Sequence, residues 1–114
     1  MEQLFAKIKE YVKMDTEIST EEFLEYYQKV IEKLTADFDQ LTEDELFQAK
    51  TIASIMSANA AAREKRKNAD KKKFKKIREK SGFWADAIEY RLKKSGLGDD
   101  QIRERTAQIE KEMQ

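Results

Sequence analysis

The sequence predicts an all-α protein, a compact bundle of about five helices, and three observations carry that prediction. Apolar residues recur three and four positions apart along most of the chain instead of alternating. Two helix starts are marked by capping signatures, at Ser19 and at Thr42. The 114 residues contain no proline and no alternating β-branched run that would favour a strand. At this length the chain is one domain with one modest core.

Taken in order, Leu4, Phe5, Ile8 and Val12 recur at helical spacing and predict a short first helix, with Lys7, Lys9 and Glu10 on its wet side. The segment 14–17 breaks that pattern. Ser19 then reads as an N-cap, Glu22 stands three residues on to close a capping box, and Ile18 can staple onto Phe23. Phe23, Tyr27, Val30, Ile31, Leu34 and Phe38 form the stripe of this second helix. The signature repeats with Thr42 as cap, Glu45 closing the box and Leu41 set against Leu46.

From Thr42 the pattern predicts one long central helix over 42–80 with two unlike halves. Residues 46–62 are apolar or small on nearly every side, at Ile52, Ala53, Ile55, Met56 and Ala58 among others, as befits a helix surrounded by helices. Residues 63–80 are strongly basic, and apolar side chains return only at Phe74 and Ile77. Ser81 and Gly82 read as the stop of that helix. A fourth helix over 83–94 carries Trp84, Ala87, Ile88 and Leu92 on one side. Gly96 ends it, with Leu97 folding back on Leu92 in a Schellman motif. Asp99 is the expected cap of a last helix with Ile102, Thr106, Ile109 and Met113 in register.

Composition narrows the chemistry. With neither cysteine nor histidine, the chain has no disulfide framework, no thiolate nucleophile, no imidazole base and no commonest metal ligand. It has no run of 18 apolar residues, and its first residues lack the apolar core and cleavage site of a signal peptide, so a soluble cytoplasmic protein with no membrane partner is expected.

The carboxylates cluster at Glu21, Glu22 and Glu25, at Asp37 and Asp39, and at Glu43, Asp44 and Glu45. Most sit in first helical turns, where the helix dipole favours them. A calcium loop from Asp37 would need glycine at its sixth position and glutamate at its twelfth, and meets Thr42 and Gln48. A bundle di-iron site needs Glu-x-x-His pairs, which cannot exist here. Gly96-Leu97-Gly98 follows a helix and has no lysine after it, so it is a connection and not a phosphate loop. Tyr26, Tyr27 and Tyr90 are expected to pack in the core or at an interface rather than to donate protons. The expectation is a non-enzyme without metal or cofactor.

One feature stands out from this background. The formal charge is zero, yet residues 1–62 carry net −7, residues 63–80 net +8 and residues 81–114 net −1. Within 63–80, Arg63 and Lys67, Lys67 and Lys71, Lys71 and Lys75, Lys72 and Lys76, and Lys76 and Lys80 are like-charged neighbours on a helix. Only Arg66 with Asp70 and Lys75 with Glu79 attract at the same spacing. At about 0.2 to 0.5 kcal/mol per pair, the excess repulsion costs on the order of 1 kcal/mol and calls for a compensating anion. That anion can be the acidic half of the same chain, a second copy, or an external polyanion.

The candidate contact residues are therefore Arg63, Lys65, Arg66, Lys67, Lys71, Lys72, Lys73, Lys75, Lys76, Arg78 and Lys80. The stretch is not a leucine-zipper basic arm, because no heptads follow it. Nor is it half of a helix-turn-helix, because the next helix opens with bulky apolar residues where base contacts belong. Nucleic acid would be met through phosphates, with Phe83 or Trp84 available for stacking, although Trp84 lies on an apolar stripe that favours the core.

In overall texture, a short Lys/Glu-rich helical chain without cysteine or histidine, the sequence resembles the small accessory proteins of Gram-positive phages and mobile elements, anti-CRISPR inhibitors among them. The resemblance rests on no motif and assigns no residue a role. It implies a stoichiometric binder, which fits an interaction protein that docks on a nucleic acid or on a nucleoprotein such as a Cas nuclease. The alternative is a self-assembling helical protein, a homodimer in the simplest case, in which acidic and basic blocks of neighbouring copies neutralise each other. A carboxylate-only hydrolase is the third and weakest reading.

Overall fold

The computed structural model describes residues 1–66 and 70–113. Along them it shows five α-helices and one short 3-10 turn: α1 (Glu2–Lys13), α2 (Thr20–Asp37), the turn Phe38–Gln40, α3 (Glu43–Glu64), α4 (Lys71–Lys94) and α5 (Asp99–Glu112), with no strand among the described residues. The all-α bundle expected from the spacing of apolar residues is the fold. No helix among the described residues is long and apolar enough to cross a membrane.

The helix starts follow from local chemistry. Ser19 is extended, and its hydroxyl accepts the N–H of Glu22 at 3.1 Å. The Glu22 carboxylate does not complete the expected box; it lies beside the Tyr11 hydroxyl, where it adds to the effect of burial in raising that phenol's pKa. At α3 the box is whole. The Glu45 N–H donates to Thr42 Oγ1 at 3.2 Å and the Thr42 N–H to Glu45 Oε1 at 3.1 Å, an arrangement worth about 1 kcal/mol. Glu43, Asp44 and Glu45 occupy the positive end of the helix dipole.

α3 is the pillar. Leu46, Phe47, Ala49, Ile52, Ala53, Met56 and Ala60 are buried along it, and α1, α4 and α5 pack against it. α4 returns antiparallel and makes the most extensive helix pairing in the molecule with α3. Alanines at 49, 53 and 60 let the backbones approach, and Ser57 Oγ donates to the Arg78 carbonyl at 3.3 Å.

The main core joins Phe5 and Ile8 of α1, Tyr26, Val30 and Leu34 of α2, the pillar, Ile88 and Leu92 of α4, and Ile102 and Ile109 of α5. A second, smaller patch of Phe23, Ala60, Phe74 and Ile77 closes the other end, with Ile18, Leu24 and Tyr27 packed on it.

Four further expectations require correction. The helix expected over 42–80 is two helices, with the first ending at Glu64 and the second starting at Lys71. The connection includes Lys67 and Asn68, which lie outside the described residues. A single helix of that span would be about 58 Å long, against a greatest molecular extent of 43 Å, and its basic half would bury nothing. Folding back instead places Phe74 and Ile77 on Ala60 and Phe23. Second, Gly82 stops nothing. α4 runs through it to Lys94, and the only left-handed residue among those described is Gly96, with φ 107°. There the Schellman bonds form as expected, from Leu97 N–H to the Leu92 carbonyl at 3.3 Å and from Gly96 N–H to that of Lys93 at 3.0 Å. Third, Val12 is 46% exposed and Tyr11 turns inward in its place, its ring edge-on to Tyr26. Fourth, the cap of α5 is Gly98, whose N–H donates to Gln101 Oε1 at 2.8 Å, while Asp99 is the first helical residue and pairs with Lys93 at 3.0 Å.

Candidate nucleic-acid interface

The small core patch sets the geometry of the basic run. Phe74 and Ile77 point inward, which on a helix turns Lys71, Lys72, Lys73, Lys75 and Lys76 away from the protein. The next inward residues, Ser81, Ile88 and Leu92, continue the same buried line to the end of α4. The outward face is thus fixed over the whole helix.

The three arginines described within the run are tied to the protein. Arg63 is buried, its side chain 5% exposed, between Phe23 and Phe74, with its guanidinium carbon 4.9 Å and 5.8 Å from the ring centres. It donates to the Ile18 carbonyl at 2.7 Å and to Thr20 Oγ1 at 3.3 Å, and pairs with Glu17 at 3.0 Å. Burial lowers its pKa from the ordinary arginine value, and Glu17 opposes that shift. Arg66 pairs with the other oxygen of Glu17 at 2.7 Å. Arg78 reaches across to Glu64, Nε to Oε2 at 2.7 Å and Nη2 to Oε1 at 3.4 Å. The hydrogen bond from Arg78 holds the Glu64 carboxyl below the usual carboxylate range, and Glu64 in turn raises the Arg78 pKa.

The lysines differ. Lys65, Lys71, Lys72, Lys73, Lys75, Lys76 and Lys80 are all exposed, and none has an ion-pair partner among the described residues. Lys71, Lys72 and Lys75 border a shallow cleft with Glu64 and Arg78, where α3 ends and α4 begins. The first turn of α4 is three lysines with no acid among them, at the positive pole of the helix dipole. Of the eleven residues read from the sequence as contacts, Arg63, Arg66 and Arg78 therefore belong to the fold, seven lysines face outward together, and Lys67 lies outside the described residues.

The aromatic candidates also separate. Trp84 packs on the main core, its ring edge-on to Phe38 at 5.4 Å, as its place on the stripe implies. Phe83 and Tyr90 are 65% and 68% exposed. Glu17, the carboxylate that serves both Arg63 and Arg66, had no signal in the sequence, because it sits in a segment without periodicity and acts across 46 or more positions. Arg91 is a second such tie, donating to the carbonyls of Phe38, Asp39 and Leu41 and so fixing α4 to the turn after α2. Among the described residues no group of three or more acidic side chains is arranged to hold a metal ion. Compared with known protein families, with curated proteins and with solved structures, the chain matches none.

Proposed function

We propose that the protein acts by binding rather than by catalysis, and that its target is a polyanion, a nucleic acid or a nucleoprotein, met by the lysine face of α4 together with Lys65. The observation that carries this reading is the division of the basic run. Its arginines have acids of their own at Glu17 and Glu64, whereas its described lysines face solvent with no ion-pair partner among the described residues. Lys71 with Lys75, Lys72 with Lys76 and Lys76 with Lys80 repel along the helix at about 0.2 to 0.5 kcal/mol each, and Lys71, Lys72 and Lys73 in the first turn also oppose the dipole. Phosphates laid along this face would relieve both costs and release counterions. The resemblance to phage-encoded inhibitors favours a nucleoprotein such as a Cas nuclease as the assembly in which that phosphate surface is presented.

The test is the joint replacement of Lys71, Lys72, Lys75 and Lys76 by glutamine, with binding to labelled DNA and RNA and thermal stability read on the same protein. Affinity should fall steeply while the melting temperature holds or rises slightly. With about five phosphate contacts on a duplex, wild-type affinity should drop several hundredfold between about 50 and 200 mM salt. A variant that melts earlier but binds as well as wild type would show that the lysines serve the fold, and the reading would fail. A wild-type dimer that dissociates as salt rises would move the assignment to self-assembly.

A further inference from the structure

Because α4 does not stop at Gly82, the lysine stretch and the aromatic stretch are one helix with one outward face. Opposite the buried line of Phe74, Ile77, Ser81, Ile88 and Leu92 run Lys72, Lys76, Phe83, Tyr90 and Lys94, spaced by four or seven residues so that they stack along one stripe, with Lys80 at its edge. Phe83 and Tyr90 are the most exposed large hydrophobic side chains described in the protein. Phe83 touches the edge of Trp84, ring centres 5.9 Å apart, and otherwise stands in solvent. Glu79 and Asp86 stand three or four residues from these rings on one side of the stripe, with Lys71 and Lys75 beyond them, while Lys72, Lys76 and Lys94 lie on its centre and Lys80 on the opposite side.

We propose that this stripe binds single-stranded nucleic acid, the lysines following the phosphates and the rings of Phe83 and Tyr90 each stacking on a base. The inference rests on the reading of α4 as a polyanion face and narrows it to one class of ligand. Two flat rings seven residues apart lie about 10 Å from each other along the helix, which is about three nucleotide steps at 3.4 Å per phosphate of one strand. A duplex keeps its base faces covered and would meet these rings only with sugar and phosphate. A single strand offers π-faces that pair with them in any sequence. From Lys72 to Lys94 the stripe is about 33 Å long, room for at most about ten nucleotides at 3.4 Å per phosphate and fewer in a strand opened so that its bases stack on the rings.

The experiment uses the full chain and a labelled oligothymidylate of about 15 nucleotides, beside a duplex of the same length, at two salt concentrations. The variants are Phe83→Ala/Tyr90→Ala, Tyr90→Phe, and the four-lysine glutamine variant. The single strand should bind more tightly than the duplex. The double alanine variant, which removes two stacks, should lose about thirtyfold or more on the single strand while keeping the wild-type salt slope, because no phosphate contact is removed. Tyr90→Phe should bind as wild type, and the lysine variant should flatten the slope. Fluorescence of Trp84, the only tryptophan, should change on binding, since a base on Phe83 arrives beside it.

Equal affinity for duplex and single strand, or a double alanine variant within twofold of wild type, overturns the stacking proposal. If the lysine variant still weakens binding in that case, the polyanion reading stands without it. No binding of any oligonucleotide at low salt removes both. A wild-type dimer in sedimentation that the double alanine variant turns into a monomer would make the stripe an interface between copies, and would equally overturn the proposal.

Discussion

Arg63 and Lys76 come from one basic run, and the fold treats them as opposites. Arg63 lies between two phenylalanine rings with a carbonyl, a hydroxyl and a carboxylate around its guanidinium. Lys76, two residues beyond the Phe74 whose ring covers Arg63 and so on the opposite side of the helix, stands in water with like charges at Lys72 and Lys80. The planar fork of arginine can satisfy several acceptors at once and stack on aromatic faces, so it tolerates burial where an ammonium would not. The difference teaches that a run of positive charge in sequence is not one functional unit. Here its arginines clamp the end of α3 to the start of α2 and to α4, and that clamp holds out a face made of lysines.

The contrast can be broken most strongly at Arg63. Arg63→Ala should cost about 2 to 4 kcal/mol in urea unfolding, somewhat under the range for a fully buried pair because Glu17 is 38% exposed. A comparable loss from Lys76→Ala would abolish the distinction, since an exposed lysine without partners should shift stability by no more than about 0.5 kcal/mol.

A smaller and opposite effect is expected at the junction of the lysine and aromatic stretches. Gly82 is mid-helix, and a Cβ placed on it would meet nothing within 4 Å. Gly82→Ala should therefore stabilise the protein by about 0.5 to 1 kcal/mol, read as a raised urea midpoint. A loss of stability would mean that α4 bends at this point and that its outward stripe is not continuous.

Lys72→Glu sharpens the comparison from the lysine side. It places an acid in the first turn of α4 and removes a repulsion, so stability should rise by about 0.3 to 1 kcal/mol even as polyanion binding weakens. Gain in one and loss in the other, measured by thermal melting and by fluorescence anisotropy on one preparation, is the signature of a face kept basic for its ligand.

The smallest effect is the pH response of the arginine clamp. Glu64 has its pKa depressed by Arg78, so its contribution is present above the unfolded carboxylate value of about 4.3 and is lost as pH falls through the lower folded value. Glu64→Gln should be less stable than wild type at neutral pH, and the gap should close below about pH 4. A gap that stays constant in urea melts down to about pH 3 would show that the ion pair contributes nothing through its charge.

What could be read from the sequence was whatever is settled within one or two helical turns. Ser19, Thr42 with Glu45, and Gly96 with Leu97 were legible because each cap bonds to groups three to five residues away. The apolar stripes of α2 and α5 were legible for the same reason, as a helix carries its own periodicity, whereas α3, apolar or small on nearly every side in sequence, buries Ile52, Ala53 and Met56 but leaves Ser54, Ala58, Asn59 and Ala62 exposed. The basic run was visible as charge, but its division was not. Arg63, Arg66 and Arg78 are sorted from the lysines by Glu17, Ile18, Thr20 and Glu64, which reach them from other parts of the chain.

The sequence by itself thus determined the class of fold, the helix starts and the presence of an unbalanced positive segment. The tertiary structure alone decided where the long helical stretch turns back, that α4 passes through Gly82, and which cations face outward. The reason is one of magnitude. A glycine inside a helix costs about 1 kcal/mol, less than the burial of Ile88 or Leu92 against the pillar contributes at about 1.5 to 3 kcal/mol each. Helix pairing with α3 therefore overrides the local stop and places lysines and aromatic rings on a single face.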